Sequence, residues 1–212
     1  FDQWPPADSK DEILYLQPGG GLDAAKPTGT NSFSEYTSDP AKPVPYTEDV
    51  HEDRTREYMT DDQRFASRRP DVLVFQSTVL SKDITVTGTV ISDLMVSIST
   101  TDADFVVKVI DVFPDDFRYN SGKINYPMGG YQMLVRGEIM RGRYRNSFEK
   151  PTAFTPGKPE KVKFELPDIA HTFKKGHRLM VQIQSSWFPL VDRNPQKFVD
   201  IYKAQDSDFQ KA

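Results

Sequence analysis

The stretch QIQSSWFPLVDRNP at residues 182–195 passes from a strand pattern into an aromatic corner and then into a charged turn. A run of β-forming residues ends near Ile183, and Pro189 and Pro195 stop regular structure after it. This succession is typical of one strand and its exit in an all-β domain. We therefore expect further strands and turns in the rest of the chain.

Other segments repeat the strand pattern. Apolar and polar residues alternate around residues 84–90 and 94–98, which predicts half-buried strands. Residues 105–113, FVVKVIDVF, are β-forming on both parities and predict a central strand. The short apolar run VLVF at 72–75 predicts a strand buried on both faces. Seven or more strands with almost no helical periodicity predict a sandwich or jelly roll. The further predicted strands are residues 13–16, 131–135, 162–166 and 179–183.

The part of the chain before this body has a different composition. Residues 1–25 hold an entry strand and a Pro-Gly-Gly-Gly turn at 18–21, which predicts a hairpin or sharp reversal. Residues 26–70 are rich in Pro, Thr, Ser and acidic residues, and predict a long extended arm with a short helical piece near 48–58. The sandwich body is expected over 71–212, with a basic hairpin tip at 174–178.

Composition excludes several functions. The 212 residues carry a net charge of -4, so no overall positive field attracts nucleic acid, which is not expected as a partner. No apolar run approaches the roughly 20 residues that span a bilayer, and the first residues lack a signal-peptide layout, so no membrane association is expected. The absence of cysteine excludes disulfides and thiolate metal sites.

Catalytic residues are not predicted. The G-x-S-x-G turn of an α/β-hydrolase nucleophile is absent from the sequence. Ser185 and Ser186 stand at a strand end without flanking glycines, so their hydroxyls are expected to bond local backbone groups. His51, His171 and His177 are each isolated along the sequence. A cupin-type metal centre would need clustered histidines and is not predicted.

Two groups of charged residues could form binding sites. Five aspartates at 102, 104, 111, 115 and 116 lack the convergence that calcium needs, and are expected to be strand-end and turn carboxylates facing water. Arginines 136, 141, 143 and 145 lie near Tyr144, as in a phosphate or RNA contact, but Glu138 and Glu149 favour ion pairs within the chain. No metal and no cofactor is predicted.

The aromatic corner allows two interpretations. Trp187 and Phe188 followed by Pro189 would suit the stacking platform of a carbohydrate-binding module, which requires Trp187 to lie flat in an open groove. Alternatively, these residues cap the sandwich core or dock on another domain. We favour the second interpretation, and the burial of Trp187 distinguishes the two.

Several segments together resemble a known family: the C-terminal domain of α-amino-acid ester hydrolases, cephalosporin-acylase-like enzymes, cocaine esterases and X-Pro dipeptidyl-peptidases. The resemblance covers nearly the whole chain and comes closest to the amino-acid ester hydrolase branch. The segments are YTSDPAKPVPY at 36–46, DDQRF at 61–65, RPDVL at 69–73, DFVVK at 104–108 with Asp111 and Val112, RYR at 143–145, SSWFP at 185–189 and DRNP at 192–195.

The resemblance implies a galactose-binding-like jelly-roll β-sandwich with a long extended N-terminal arm, acting as a non-catalytic domain. It implies a catalytic α/β-hydrolase domain in the same polypeptide, whose Ser-Asp-His triad lies upstream of this chain. In the arm, Tyr46, Val50, Tyr58 and Met59 are the candidates for contact with that domain or its pocket, unless the arm packs only on its own sandwich. The signature residues are Trp187, Phe188, Pro189, Asp192, Arg193 and Asn194.

Three further expectations follow from the resemblance. The family continues beyond the residue that matches Ala212 into a final strand, so this chain is expected to lack that strand. A sheet without it would expose an unpaired edge that favours association. The full-length protein is also expected to form homo-oligomers, and a periplasmic or secreted location is slightly favoured over others.

Overall fold

A computed structural model describes residues 2–29, 32–53 and 55–212 of the chain. Within these residues the chain is built almost entirely from antiparallel strands. The strands are β1 (Tyr15–Leu16), β2 (Leu22–Asp23), β3 (Val72–Gln76), β4 (Ile84–Val96), β5 (Asp104–Val112), β6 (Arg118–Asn120), β7 (Asn125–Pro127), β8 (Gln132–Arg141), β9 (Glu160–Phe173) and β10 (Arg178–Gln184). The helices are a 3₁₀ turn at Glu57–Met59, α1 (Arg64–Ser67), and 3₁₀ turns at Gly142–Tyr144, Ile201–Lys203 and Asp206–Asp208.

The larger sheet has the strand order β3-β10-β5-β8 with antiparallel neighbours throughout. All nine residues of β5 are buried, because strands flank it on both sides and both of its faces are covered. This confirms the prediction of a central strand. The strand begins at Asp104 and ends at Val112, one residue earlier at each end than the sequence pattern suggested.

Strands β4 and β9 pair with each other to form the second sheet. Buried or half-buried residues alternate with exposed residues along most of β4, as the period-two pattern predicted. The two predicted segments are one continuous strand, in which the register shifts between Gly88 and Val90. Gly88 has a φ of 91°, a conformation that glycine adopts without strain, so it accommodates the irregularity.

The hydrophobic core lies between the two sheets. Phe105, Val107 and Val109 of β5 face Phe164 and Leu166 of β9 in one apolar cluster, which Phe75, Val162, Phe173 and Ile183 extend. The short β1–β2 hairpin adds Leu22 to this cluster. The structure is therefore an all-β sandwich, as predicted.

The opposite face of the larger sheet is covered by the arm and by the segment after β10. Tyr46 of the arm, Val106 of β5 and Trp187 form one buried cluster there, while Val44, Ala66 and Val72 form another. Isolated bridges pair Pro45 with Phe188 and Asp62 with Met133. The arm is therefore packed closely on its own sandwich.

Some local predictions were wrong. The short helical piece predicted near 48–58 occurs only at the end of that range, in the 3₁₀ turn Glu57–Met59. Residues 48–53 are not helical, and Arg54 lies outside the described residues. The basic segment 174–178 is not a hairpin tip, because β9 and β10 belong to different sheets. It is the corner between the sheets, where Gly176 (φ 89°) turns and Lys174 pairs with Asp83.

The hairpin formed by β6 and β7 was not predicted, because strands of three residues are too short to show a period-two pattern in the sequence. None of the helices in the described part of the chain is long and apolar enough to cross a membrane.

Candidate functional site

The Trp187 corner is tied to the arm through backbone groups. Tyr46 N donates to the Phe188 carbonyl over 2.9 Å, and Phe188 N donates to the Val44 carbonyl over 3.0 Å. Val44 N donates to Ser186 Oγ over 2.8 Å. These bonds hold the strand exit and the arm together as one unit on the outer face of the larger sheet.

Aromatic side chains fill the space between the corner and the sheet. The edge of Tyr58 meets the Trp187 ring at a centroid distance of 5.8 Å, and Tyr46 lies 5.5 Å from Tyr58. Gly137 of β8 permits this packing, because a Cβ there would lie 3.0 Å from Trp187 Cη2. Trp187 is only 7% exposed, so it does not form an open stacking platform, which counts strongly against the carbohydrate-binding interpretation.

Lys108 is the most unusual residue beneath the Trp187 corner. It lies in the middle of β5 and is 0% exposed. Its Nζ donates to Gln63 Oε1 over 3.0 Å and lies 5.2 Å from the centre of the Trp187 ring. Burial lowers the pKa of Lys108 to about 7. A lysine flanked on both sides by Val-Val and Val-Ile was a sequence signal for this buried cation.

A buried polar network holds the charged turn after the corner. Arg143 pairs with Asp102 at 2.6 Å, and Arg141 pairs with Asp104 at 3.0 Å. The amide of Asn194 donates to Asp102 over 3.1 Å and to Asp104 over 2.7 Å. Burial raises the pKa of Asp104, and the Arg141 guanidinium and Asn194 amide only partly offset the rise. The turn is thus anchored to the start of β5.

These positions correct one prediction and refine another. Asp102, Asp104 and Asp111 are buried and do not face water, whereas Asp115 and Asp116 are exposed as expected. Arg141, Arg143 and Arg145 do pair within the chain, but their partners are Asp104, Asp102 and Glu160. Arg136 instead donates to the backbone carbonyl of Asp168 over 2.7 Å. The error arose because strand-end aspartates usually meet water, and partners about 40 residues away leave no local signal.

The other signature residues have mixed positions. Arg193 donates to the Pro40 carbonyl over 2.9 Å and lies over the rings of Phe188 and Phe209, at 5.7 and 5.0 Å. Pro189 and Asp192 are exposed, and the backbone carbonyl of Asp192 accepts from Arg141 over 3.1 Å. Most of the signature therefore anchors the strand exit to the arm and to β5.

The histidines at 171 and 177 are not isolated in the structure, in contrast to their interpretation from sequence. His171 Nε2 lies 2.9 Å from one oxygen of Asp111, and His177 Nδ1 lies 2.8 Å from the other. Asp111 belongs to β5 and His171 to β9, so this group ties the two sheets together. Within the described ranges, no three His, Asp or Glu side chains are placed to hold a metal ion.

The serines at the strand exit bind the arm. Ser185 Oγ and the hydroxyl of Tyr36 share a hydrogen bond of 2.6 Å, and burial raises the pKa of Tyr36 to about 12. Ser186 accepts from Val44 N, a backbone group distant in sequence and not a local one as predicted. The hydroxyls of Ser185 and Ser186 thus have structural partners.

The four arm candidates divide into two pairs. Tyr46 is buried and Tyr58 half-buried within the aromatic layer. Val50 is fully exposed, and Met59 is 47% exposed. The arm therefore presents Val50 and Met59 to the outside, while the two tyrosines hold it in place.

Comparison with known proteins gives a consistent result. The family model described as X-Pro dipeptidyl-peptidase C-terminal non-catalytic domain matches residues 1–207. Cocaine esterase from Rhodococcus sp. (strain MB1 Bresler) is 35% identical over 199 residues, which are 90% of this chain and 32% of that protein.

Solved structures extend the comparison. An aminopeptidase from the marine sediment archaeon Thaumarchaeota archaeon has a TM-score of 0.91 and 42% identity, covering 100% of this chain and 35% of its own. A solved structure of an α-amino acid ester hydrolase has a TM-score of 0.86 and 44% identity, covering 93% of this chain and 32% of its own. The chain thus spans about a third of the length of these relatives.

Proposed function

Because the chain belongs to the family of X-Pro dipeptidyl-peptidase C-terminal non-catalytic domains, we propose that it is the non-catalytic part of a larger serine hydrolase. In this proposal the catalytic serine, aspartate and histidine lie in another part of the same polypeptide. The domain packs on that catalytic part and shapes the access of substrate. The proposed substrates are acyl-amino-acid esters, β-lactam-type amides or X-Pro peptides.

The main support for this proposal is the fraction of each relative that the chain matches. The matched region is 32% of the cocaine esterase and 35% of the archaeal aminopeptidase. Both names describe hydrolases, and about two thirds of each protein lies outside the match. A catalytic domain of that size, joined to this one, is what we propose for the full-length protein.

The hydrogen-bond partners of the serines at the strand exit and of two histidines support a non-catalytic role. Ser185 and Ser186 bond Tyr36 and Val44, and His171 and His177 bond a buried carboxylate. A nucleophilic serine needs a histidine within hydrogen-bonding reach to take its proton. The strand-exit serines have hydrogen bonds to the arm in place of such a pair.

The exposed part of the arm supports the role in substrate access. We propose that Val50 and Met59 reach the catalytic domain or the wall of its pocket. Tyr46 and Tyr58 serve this contact indirectly, because they fix the arm to Trp187. The arm also carries a polar cleft, lined by Glu48, Asp62, Arg64, Phe65 and Arg68, which such a contact would cover.

The proposal is tested by assaying the chain alone and the full-length protein with an activated amino-acid ester. We expect turnover by the full-length protein and none by the isolated chain. A preparation of the chain that hydrolyses the ester at a rate comparable to the full-length protein would overturn the proposal. Circular dichroism of the isolated chain establishes that it is folded under the conditions of the assay.

A second assay addresses the arm. In the full-length protein, Val50→Ser and Met59→Ser are expected to raise KM with a smaller effect on kcat, because they change access and not the reacting groups. Met95→Ser is a matched control, since Met95 is exposed on the second sheet. Unchanged KM in both arm variants would show that the arm packs only on its own domain.

Two further proposals rest on the family resemblance alone. We propose a periplasmic or secreted location, which fractionation of the native host would test by where the protein is recovered. We also propose that the full-length protein forms homo-oligomers, which light scattering would test through its molar mass.

A further inference from the structure

The hairpin of β6 and β7 has two faces of different chemistry. Tyr119 and Tyr126 are directly paired across the ribbon and are both 52% exposed. Ile124 lies just before β7, where Ser121 N donates to its carbonyl over 3.0 Å and extends the pairing by one residue on each side. Ile124 is 49% exposed, and alternation from Tyr126 places it on the same face. On the opposite face, the Arg118 guanidinium donates to Asn125 Oδ1 over 2.9 Å. One face is thus aromatic and apolar, and the other is polar.

The apolar face is left uncovered by the rest of the described chain. All six residues of the two strands are exposed, and the two strands pair only with each other. A two-stranded ribbon is only marginally stable in water without packing against a further element. Exposed tyrosines with a neighbouring aliphatic residue are the composition that protein interfaces favour.

The base of the hairpin connects it to the arm. Met128 N donates to the Phe117 carbonyl over 3.0 Å and closes the base. In the following turn, the hydroxyl of Tyr131 donates to the carbonyl of Thr60, and Arg64 donates to the carbonyl of Gly129 over 3.3 Å. The hairpin therefore stands at the end of the sandwich where the exposed Met59 precedes Thr60.

We propose that the aromatic face of this hairpin, formed by Tyr119, Ile124 and Tyr126, is a docking surface for the catalytic part of the same polypeptide. This inference rests on the proposed function. It commits to that partner because about two thirds of each relative lies outside the match. Continuity with Met59, the arm residue proposed to reach the same partner, favours it over a second copy of the chain.

The test places a photo-cross-linking amino acid at position 119 of the full-length protein and maps the products by mass spectrometry. The matched control carries the same group at position 120, the next residue on the opposite face. We expect cross-links within one polypeptide to peptides outside residues 1–212, with a yield about tenfold higher from position 119. A cross-linked dimer from position 119 would assign the surface to a second copy and overturn the proposal, as would equal yields from the two positions.

A variant provides a second readout. In the full-length protein, Tyr119→Ser with Tyr126→Ser is expected to speed the proteolytic release of this domain about tenfold, because the docked state is weakened. Arg118→Ser with Asn125→Ser changes the opposite face and is expected to have little effect. Equal release rates in the two double variants would overturn the docking surface.

The two proposals fail in different ways. If the full-length protein hydrolyses the ester and the isolated chain does not, but position 119 gives no cross-link to the catalytic part, only the docking surface is wrong. If the isolated chain hydrolyses the ester, the proposed function is wrong, whatever the cross-links show.

Discussion

All nine residues of strand β5 are buried, and different kinds of contact cover its two faces. The inner face presents Phe105, Val107 and Val109 to the apolar core between the sheets. The outer face presents Val106 and Ile110 but also Asp104 and Lys108, which the arm and the segment after β10 cover. The inner face is held mainly by apolar packing, with one polar group where Asp111 bonds His171 and His177. The outer face combines apolar packing with several directional polar contacts.

This difference shows what the arm contributes. If the arm only crossed the surface, the outer face of the four-stranded sheet would be exposed to solvent. Here Gln63 of the arm binds Lys108, Ser186 binds Val44, and Tyr46 packs in the Trp187 cluster. The arm therefore completes the domain structurally, while Val50 and Met59 remain exposed for another partner.

The largest effect is expected on the inner face. Phe173→Ala removes a fully buried ring of the main core and is expected to lower the free energy of unfolding by about 4 kcal/mol. Urea unfolding of the isolated chain measures the change. Met95→Ala, on the exposed side of the same sheet, is the control and should stay within about 0.5 kcal/mol. A similar cost for both variants would contradict the assignment of the core.

A smaller loss is expected at the polar network beside the outer face. Asp102→Ala leaves the Arg143 guanidinium buried without its carboxylate, and should cost about 3 kcal/mol in urea unfolding. Adding Arg143→Met should recover part of this loss, because no unpaired charge then remains. If the double variant loses more free energy of unfolding than the two single variants lose together, the proposed pairing is wrong.

The buried lysine predicts a pH dependence. The pKa of Lys108 is lowered to about 7 in the folded chain from its ordinary 10.5, so the unfolded chain binds more protons between these values. The free energy of unfolding should therefore rise with pH across this window, by up to about 1.4 kcal/mol per pH unit. Below pH 7 this contribution to the slope should vanish. Urea unfolding at pH 7, 8, 9 and 10 measures it.

Lys108→Met is the matched variant for this pH dependence. It keeps an unbranched side chain but removes the titrating group, so the rise due to Lys108 should disappear while other groups titrate as before. An equal rise in the parent chain and the variant would show that Lys108 keeps its charge when folded.

The smallest effect is expected where the arm meets the corner. Ser186→Ala removes the acceptor for Val44 N and should cost about 1 kcal/mol. The exposed Ser97, just after β4, provides a matched serine whose replacement by Ala should be nearly neutral. Arm amides near residue 44 should also exchange faster with deuterium in the Ser186 variant alone, which would not happen if the arm were held elsewhere.

Local patterns predicted the framework of the fold. Alternation identified β4, and the two-sided β-forming run identified β5 as the central strand. The strand exit at Trp187 was interpreted as capping the sandwich core or docking on another domain, and Trp187 is buried against Tyr46 and Val106. These features depend on neighbours within a few residues, which a single sequence displays directly.

The buried polar contacts on the outer face of β5 could not be predicted in the same way. Gln63 and Lys108 are 45 residues apart, and Asn194 and Asp104 are 90 apart. Such pairs leave no periodic signal, so the buried aspartates resembled ordinary turn residues. The β6–β7 hairpin was missed because its strands of three residues are too short to show a period-two pattern, and a Ser-Gly turn between tyrosines was its only sequence signal.

The non-catalytic role is tested most directly with a fluorophosphonate probe, which labels only serines activated as nucleophiles. We predict stoichiometric labelling of the full-length protein at a serine outside residues 1–212, and no labelling of the isolated, folded chain. Covalent labelling of any serine within these 212 residues, Ser185 or Ser186 above all, would contradict the assignment of this domain as non-catalytic.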